Sequence, residues 1–276
     1  MRAGNVNLMR VSSLHTYPIK GCYRTDHREL VVEPWGPVGD RRWVMVDADG
    51  RMVTQREIPG LVRIKPRAEG SRLRLSAEGH PDLQVDSVAG DLVDMKVFSD
   101  PVRATPVGDA ADAWLTAVLD HKVRLLWLDD PTRRAVQPEW SRPTDRVSLA
   151  DEFPVLVTNS ASLTWLNDAL LESGSAEGPL PMTRFRPNVV VDGATAWAED
   201  EWLGRTARIG EAVFRVVKGH GRCVVTTTDQ DTGERGHEPL RALGRHRNFH
   251  QSLHFGVVLI PDQVGTIKLG DSITVE

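Results

Sequence analysis

A chain of 276 residues suits one large or two smaller domains and can bury a core without help from disulfides. The net charge of −4 carries no global basic signal for nucleic acid, and two cysteines exclude a disulfide framework, a four-cysteine zinc site and an all-cysteine iron–sulfur cluster. No apolar run approaches the roughly 20 residues that span a bilayer, and MRAGNVNLMRV lacks the apolar stretch of a signal peptide, so a cytoplasmic protein in a reducing compartment is expected.

Most of the chain reads as short strands. LMRVSSLHTYPIK (8–20) alternates apolar and polar residues and stops at a proline. RRWVMVDADGRMVTQRE (41–57) predicts a hairpin turning at Asp49-Gly50, RLRLSAEGHPDLQVD (72–86) a second one around Gly79-His80-Pro81, and DLVDMKVFSDPVRATPVG (91–108) is again strand-like. A helical stripe over 108–121 (Ala111, Trp114, Leu115, Val118, Leu119) has Asp109 as its expected cap. Residues 129–147, with three prolines and four arginines, suggest a linker or functional loop. A clearer helix spans 159–174, capped by Asn159 or Ser160, striped by Leu163, Leu166, Leu170 and Leu171, and stopped by Gly174. A weaker helix covers 238–248. The strands resume in FRPNVVVDG, TARIGEAVFRVVKG, RCVVTTTD, HFGVVLIPD and GTIKLGDSITVE, which argues for a β-rich, barrel-like C-terminal part.

Four stretches hold the residues suited to chemistry. In GRCVVTTTDQDTG, Cys223 follows Arg222 and lies three residues after His220, between approachable glycines. Cationic neighbours favour a thiolate, which attacks carbon or binds soft metals, but a cysteine is also a small core residue, and the spacing leaves filler, nucleophile and ligand open. In YPIKGCYR, Lys20 and Gly21 fall at a strand end, where an ammonium and a free N–H can meet an anion, or where a lysine is simply solvated. Cys22 is by default a structural or exposed thiol. In GDRRW, Arg41 and Arg42 would point to opposite faces of a strand, the inward one needing an anion such as phosphate. In RFRPNVVVDG, Arg184, Arg186 and Asn188 would share one face if the strand begins that early.

Taken in order, YPIKG, GDRRWVMVDADGRMVTQRE, FRPNVVV, GRCVVTTTDQDTG and GTIKLGDSITV resemble the MOSC-domain proteins, relatives of the C-terminal domain of molybdenum cofactor sulfurase, and among them the mitochondrial amidoxime reducing component and its bacterial counterparts. The likeness runs from about Leu14 to the C-terminus. It implies a mixed α/β, β-rich fold: an amino-terminal β-rich α+β domain over 5–125 and a MOSC β-barrel with few peripheral helices over 126–276, with the first strand shared. It also implies a molybdenum cofactor (Mo-pyranopterin) whose metal takes a sulfur ligand from Cys223. Lys20 would contact the cofactor phosphate, and Gly21, Arg41, Asp151, Arg186, Asn188 and Arg222 would complete the cofactor site. Two positions depart from the family pattern: Gly21 stands where serine is frequent, and Asp151-Glu152-Phe153 where small hydroxyl residues are usual. The activity implied is reduction of small N-hydroxylated or N-oxygenated substrates with electrons from a separate flavin or iron–sulfur protein, since two cysteines cannot hold a fused ferredoxin-like centre. A persulfide-based sulfur-transfer protein and a cofactor carrier are the alternatives.

Overall fold

The computed structural model describes residues 8–276; the expected domain start at residue 5 and most of the stretch MRAGNVNLMRV lie outside the described residues. Among the described residues the largest sheet has nine strands, eight on one path and a ninth, Asn248–Phe249, paired beside it with Ser252–Gln263. Its path runs from Ile273–Val275 through Thr206–Ile209, Ala212–Gly221, Ser252–Gln263, Val155–Asn159 and Val189–Asp192 to Arg10–Thr16 and Thr25–His27. An antiparallel bridge between Arg10 and Ser272, with Ile273 N donating to Met9 O at 3.0 Å, ties the first strand to the last, so the sheet curls into a partial barrel. The fill is aliphatic: Val11, Leu14, Val157, Val189, Val191, Phe214, Val257 and Leu259 form one buried cluster. Only Val155–Asn159 and Val189–Asp192 run parallel in that sheet, and helix α2 (Ser160–Glu172) makes the crossover such a pair requires.

Three smaller sheets stand beside the barrel. Trp43–Val46, Arg124–Trp127, Asp100–Pro106 and Val93–Val97 form one; Lys65–Glu69, Arg72–Ala77 and His80–Asp86 form another. Glu29–Glu33 pairs with Gly265–Lys268, near the end of the chain. The first two sheets and helix α1 (Asp109–Leu119) bury Ile19, Cys22, Trp43, Leu73, Leu75, Leu115 and Leu125 in a second core. The fold is thus β-rich with few helices, as expected, and its first strand belongs to the sheet of the second half.

Local structure corrects several expectations. The stretch 91–108 is a hairpin of two strands, Val93–Val97 and Asp100–Pro106. The cap of α1 is Gly108, not Asp109, with no side-chain cap hydrogen bond. In α2 the cap is Asn159, whose side chain accepts from Ala161 N at 3.0 Å, and Ser162 joins Leu166 and Leu170 on the buried face while Leu171 is exposed. The third helix, α3, covers Leu240–His246. Residues 129–147 fold back on themselves through an Ala135–Arg146 bridge. The β-branched run after Cys223 is a 3-10 helix, Val224–Thr227, not a strand. Thr226 and Thr227 explain it, because each hydroxyl donates to the carbonyl three residues back, at 2.8 Å, and closes a tight turn. Among the described residues no helix is long and apolar enough to cross a membrane.

Candidate functional site

Strand Ala212–Gly221 carries the chain towards Cys223, and its pairing with Ser252–Gln263 slips three times, the last between Gly219 and Gly221. Such bulges bend a strand and re-aim the residues beyond it. Gly219 permits the bend, since a Cβ there would lie 2.6 Å from His254 Nδ1. Cys223 emerges half-buried at the wall of a cleft of about 850 Å³, counting its open mouth. Arg56 Nη2 donates to its Sγ at 3.4 Å.

Arg222 and His220 are the least satisfied groups in the cleft. Arg222 donates through Nη2 to Phe185 O at 2.7 Å, but among the described residues its buried Nε and Nη1 have no partner, nor does His220 Nδ1. Burial lowers the Arg222 pKa to about 10, which leaves it fully charged at neutral pH. Burial, and then the Arg222 charge, hold His220 well below its ordinary value, so its ring is neutral. A buried guanidinium with two idle nitrogens is costly unless something with acceptor atoms completes it.

Lys20 is buried and donates to Leu149 O at 2.8 Å and to Asp151 Oδ1. Burial lowers its pKa to about 8 despite the carboxylate. Burial would raise the Asp151 pKa, but Lys20 outweighs it and holds that carboxyl well below the usual range. The Asp151 loop is fixed by Arg134, which donates to Ser148 O at 2.6 Å, Ala150 O at 2.5 Å and Asp151 O at 3.0 Å. The proline- and arginine-rich stretch therefore supplies the brace of the cleft.

Arg41 and Arg186 both lie against the Tyr17 ring, their guanidinium carbons 4.5 and 4.2 Å from its centre. Neither lies in a strand. Both adopt the left-handed region, φ 46° for Arg41 and φ 53° for Arg186, a conformation costly for residues with a Cβ. Arg41 and Arg42 do diverge, but through that turn rather than strand alternation: Arg42 is spent on Leu128 O at 2.9 Å and 2.7 Å. Arg184, expected beside Arg186, instead donates to Thr227 O at 2.8 Å and pairs with Asp229, because Met182–Phe185 is a 3-10 helix. Asn188 is a strut. Its Oδ1 accepts from Leu156 N at 3.1 Å and Arg41 Nη1 at 3.3 Å, and its Nδ2 donates to His15 O at 3.2 Å. Burial lowers the Arg186 pKa to about 10.

A buried amide pair joins the two halves of the cleft. Gln55 Nε2 donates to Gly21 O at 2.6 Å and to Gln230 Oε1 at 3.1 Å; Gln230 Nε2 returns a bond to Gln55 Oε1 at 3.0 Å. Gln230 Oε1 also accepts from Arg186 Nη1 at 2.7 Å. Gly21 has φ 84°, and a Cβ there would lie 3.0 Å from Leu61 Cδ1, so glycine suits this turn better than the serine of the family pattern.

The eight residues that the family likeness assigns to the cofactor site all line this one cleft, Lys20, Gly21, Arg41, Asp151, Arg186, Asn188, Arg222 and Cys223, whereas Arg42 and Arg184 do not. Sequence reasoning missed Gln55, Arg56, Gln230 and Arg134. Arg56 had a visible signal, a charged TQRE tail directly after a hairpin; Gln230 had none. Cys22, by contrast, is sealed in the second core with no exposed surface, and burial pushes its thiol far above the ordinary value. Among the described residues no group of three or more His, Cys, Asp or Glu side chains is placed to hold a metal ion.

The pattern described as the MOSC N-terminal beta barrel domain matches residues 8–122, and the MOSC domain matches residues 144–274. Mitochondrial amidoxime-reducing component 1 of Homo sapiens is 30% identical over 95% of this chain and 82% of its own length. Mitochondrial amidoxime reducing component 2 of Bos taurus is 30% identical with the same coverage. Molybdenum cofactor sulfurase of Anopheles gambiae is 30% identical over 91% of this chain and 34% of its own. The solved YUAD protein of Bacillus subtilis aligns over 97% of this chain and 94% of its own with a TM-score of 0.45 and 12% identity. On its paired domains and on relatives matched nearly end to end, the chain belongs to the MOSC-domain family, with the MOSC N-terminal domain ahead of the MOSC domain.

Proposed function

We propose that this protein is a molybdenum cofactor-dependent reductase of N-hydroxylated compounds. One observation carries the reading: a reachable thiol, Cys223, shares a cleft with five cations, Lys20, Arg41, Arg56 and Arg186 from distant segments and the neighbouring Arg222, which has two buried nitrogens without a partner among the described residues. An anionic, sulfur-seeking group answers both features. With one thiol and no clustered ligands, a metal here must bring most of its own coordination sphere, as a dithiolene-bound molybdenum does.

Cys223 would supply the protein's sulfur ligand. Lys20, Arg41, Arg186 and Arg222 would balance the phosphate and sulfur charge of the cofactor, with Gly21 offering an unobstructed backbone. Asn188 acts through Arg41, which it orients. Asp151, held ionised by Lys20, positions that lysine and supplies no proton at neutral pH. When bound, the cofactor provides two-electron chemistry at molybdenum. For an N-hydroxyamidine the balance is R–C(NH2)=N–OH plus two electrons and two protons, giving R–C(NH2)=NH and water. The N–O bond breaks, nitrogen is reduced, and the electrons come from a separate donor protein bearing a flavin or iron–sulfur centre. A cytoplasmic location and a division into 5–125 and 126–276 belong to the same proposal.

The test is molybdenum content together with benzamidoxime reduction by an artificial donor. Metal-replete protein that reduces no N-oxygenated compound removes the reductase reading. A second reading, sulfur transfer, draws on the accessibility of Cys223 and on the named activity of the Anopheles gambiae relative. A labile adduct of roughly 32 Da on Cys223, one persulfide sulfur, in protein free of pterin would favour it.

A further inference from the structure

Phe98 sits at the turn between strands Val93–Val97 and Asp100–Pro106 and joins none of the buried clusters. It is 46% exposed and adopts φ 55°, the left-handed region where a bulky side chain is an outlier and glycine would fit without cost. Its ring is nonetheless held in place by the cleft. Arg56 Cζ lies 5.1 Å from the ring centre and Lys20 Nζ 5.7 Å from it. Arg56 is itself tied to the thiol: among the described residues, Cys223 Sγ at 3.4 Å is the one hydrogen-bond partner of its guanidinium. A strained, solvent-facing aromatic ring is thus linked through one flat cation to the sulfur where chemistry is proposed. Core packing does not call for Phe98, because its ring joins no buried cluster and its backbone is better suited to glycine.

We infer that Arg56, which lines the cleft, and Phe98, which stands just outside that lining against Arg56 and Lys20, form a substrate-selecting wall beside Cys223, an aromatic–guanidinium surface that favours N-hydroxylated substrates whose N–O group is attached to a planar, conjugated substituent. The inference rests on the reductase reading and narrows its substrate class. Such a substituent stacks on the face of a guanidinium and against an aromatic ring, whereas a compact alkyl group gains little from either. Phe98 is a specificity residue in this account, not a catalytic one: it contacts the distant part of the substrate and leaves the N–O bond to the metal centre.

Phe98→Gly is the decisive variant, since glycine accepts φ 55° and the fold is retained. Two probes are compared on protein purified with its cofactor: benzamidoxime, which is planar and aromatic, and acetamidoxime, which is not. Binding is measured by calorimetry without electron donor, and KM and kcat are then measured with an artificial donor. The wall predicts that Phe98→Gly weakens benzamidoxime binding and raises its KM by about three- to tenfold. Acetamidoxime constants and both kcat values stay unchanged, and Phe98→Trp restores benzamidoxime. Equal effects on both probes, no effect on either, or no benzamidoxime binding by the wild type at millimolar concentration overturns the wall. Selective loss of benzamidoxime binding in a protein that turns over neither probe would leave the wall standing and sink the reductase reading instead.

Discussion

Cys22 and Cys223 occupy regions built from opposite materials. Cys22 sits among Ile19, Trp43, Leu61, Leu73 and Leu75, fully enclosed, where dispersion and burial decide everything. Cys223 sits half-buried in a cleft whose walls are Lys20, Arg41, Arg56, Arg186 and Arg222. Gly21 and Gln55 lie between the two regions, one residue from Cys22 and one from Arg56, so core and cleft share a boundary only a residue thick in sequence. The same side chain is therefore inert on one side and chemically available on the other. The core is packed for stability, whereas the cleft keeps positive charges close together at stability's expense, which is the signature expected of a binding site.

The largest difference should appear in alkylation. Iodoacetamide on native protein freed of cofactor should label Cys223 while Cys22 reacts only through unfolding, on the order of a thousandfold more slowly; peptide mapping of both sites checks this, and equal labelling would erase the contrast. Next in size is Arg222→Gln. Removing a guanidinium with two unpartnered nitrogens should leave the thermal midpoint unchanged or higher, yet lower molybdenum retention by about 10- to 100-fold. A large drop in midpoint would mean that Arg222 serves the fold. In the core the sign reverses: Cys22→Ser buries a hydroxyl and should cost about 1–3 kcal/mol by urea unfolding, with molybdenum content per folded chain unchanged.

The smallest effect is in pH. Burial lowers the Lys20 pKa from 10.5 to about 8, so the folded protein sheds this charge before the unfolded chain does. Between about pH 8 and pH 10.5 the unfolded state binds the extra proton, and the Lys20 contribution to stability therefore rises with pH. Anion affinity runs the other way. Calorimetry with inorganic phosphate should show binding that weakens above about pH 8, and Lys20→Arg should flatten that decline. Phosphate affinity that holds steady through this range in the wild type would remove Lys20 from the anion site.

Much of the fold and the convergence of eight residues on one cleft were legible because motifs that adjoin strands mark where chains end beside one another. YPIKG and FRPN each follow or precede a strand of the barrel, and the hairpin at 72–86 needed only alternation and a turn, whereas in 41–57 only Trp43–Val46 is a strand, closed by a single Val46–Met52 bridge. The hidden features were of another kind. Arg41 and Arg186 reach the cleft from left-handed turns, which no side-chain periodicity reports. The VVTTT run has strand composition but folds as a 3-10 helix because its hydroxyls bond locally. Gln55 and Gln230 are 175 positions apart and meet only in the folded chain, and nothing in the proline-rich stretch 129–147 distinguishes Arg134 from its three other arginines. Long-range polar pairing of this sort leaves no local trace in a sequence.

The central claim is that Cys223 holds a molybdenum centre whose organic part is gripped by the cleft cations. Elemental analysis of freshly purified wild type and Cys223→Ser, with the pterin's fluorescent oxidation products measured in parallel, tests it most directly. The account expects molybdenum and pterin together in the wild type, and loss of molybdenum in Cys223→Ser with the fold intact by circular dichroism. Undiminished molybdenum in Cys223→Ser, or a wild type that never takes up molybdenum or pterin from a cofactor-producing host, would contradict it.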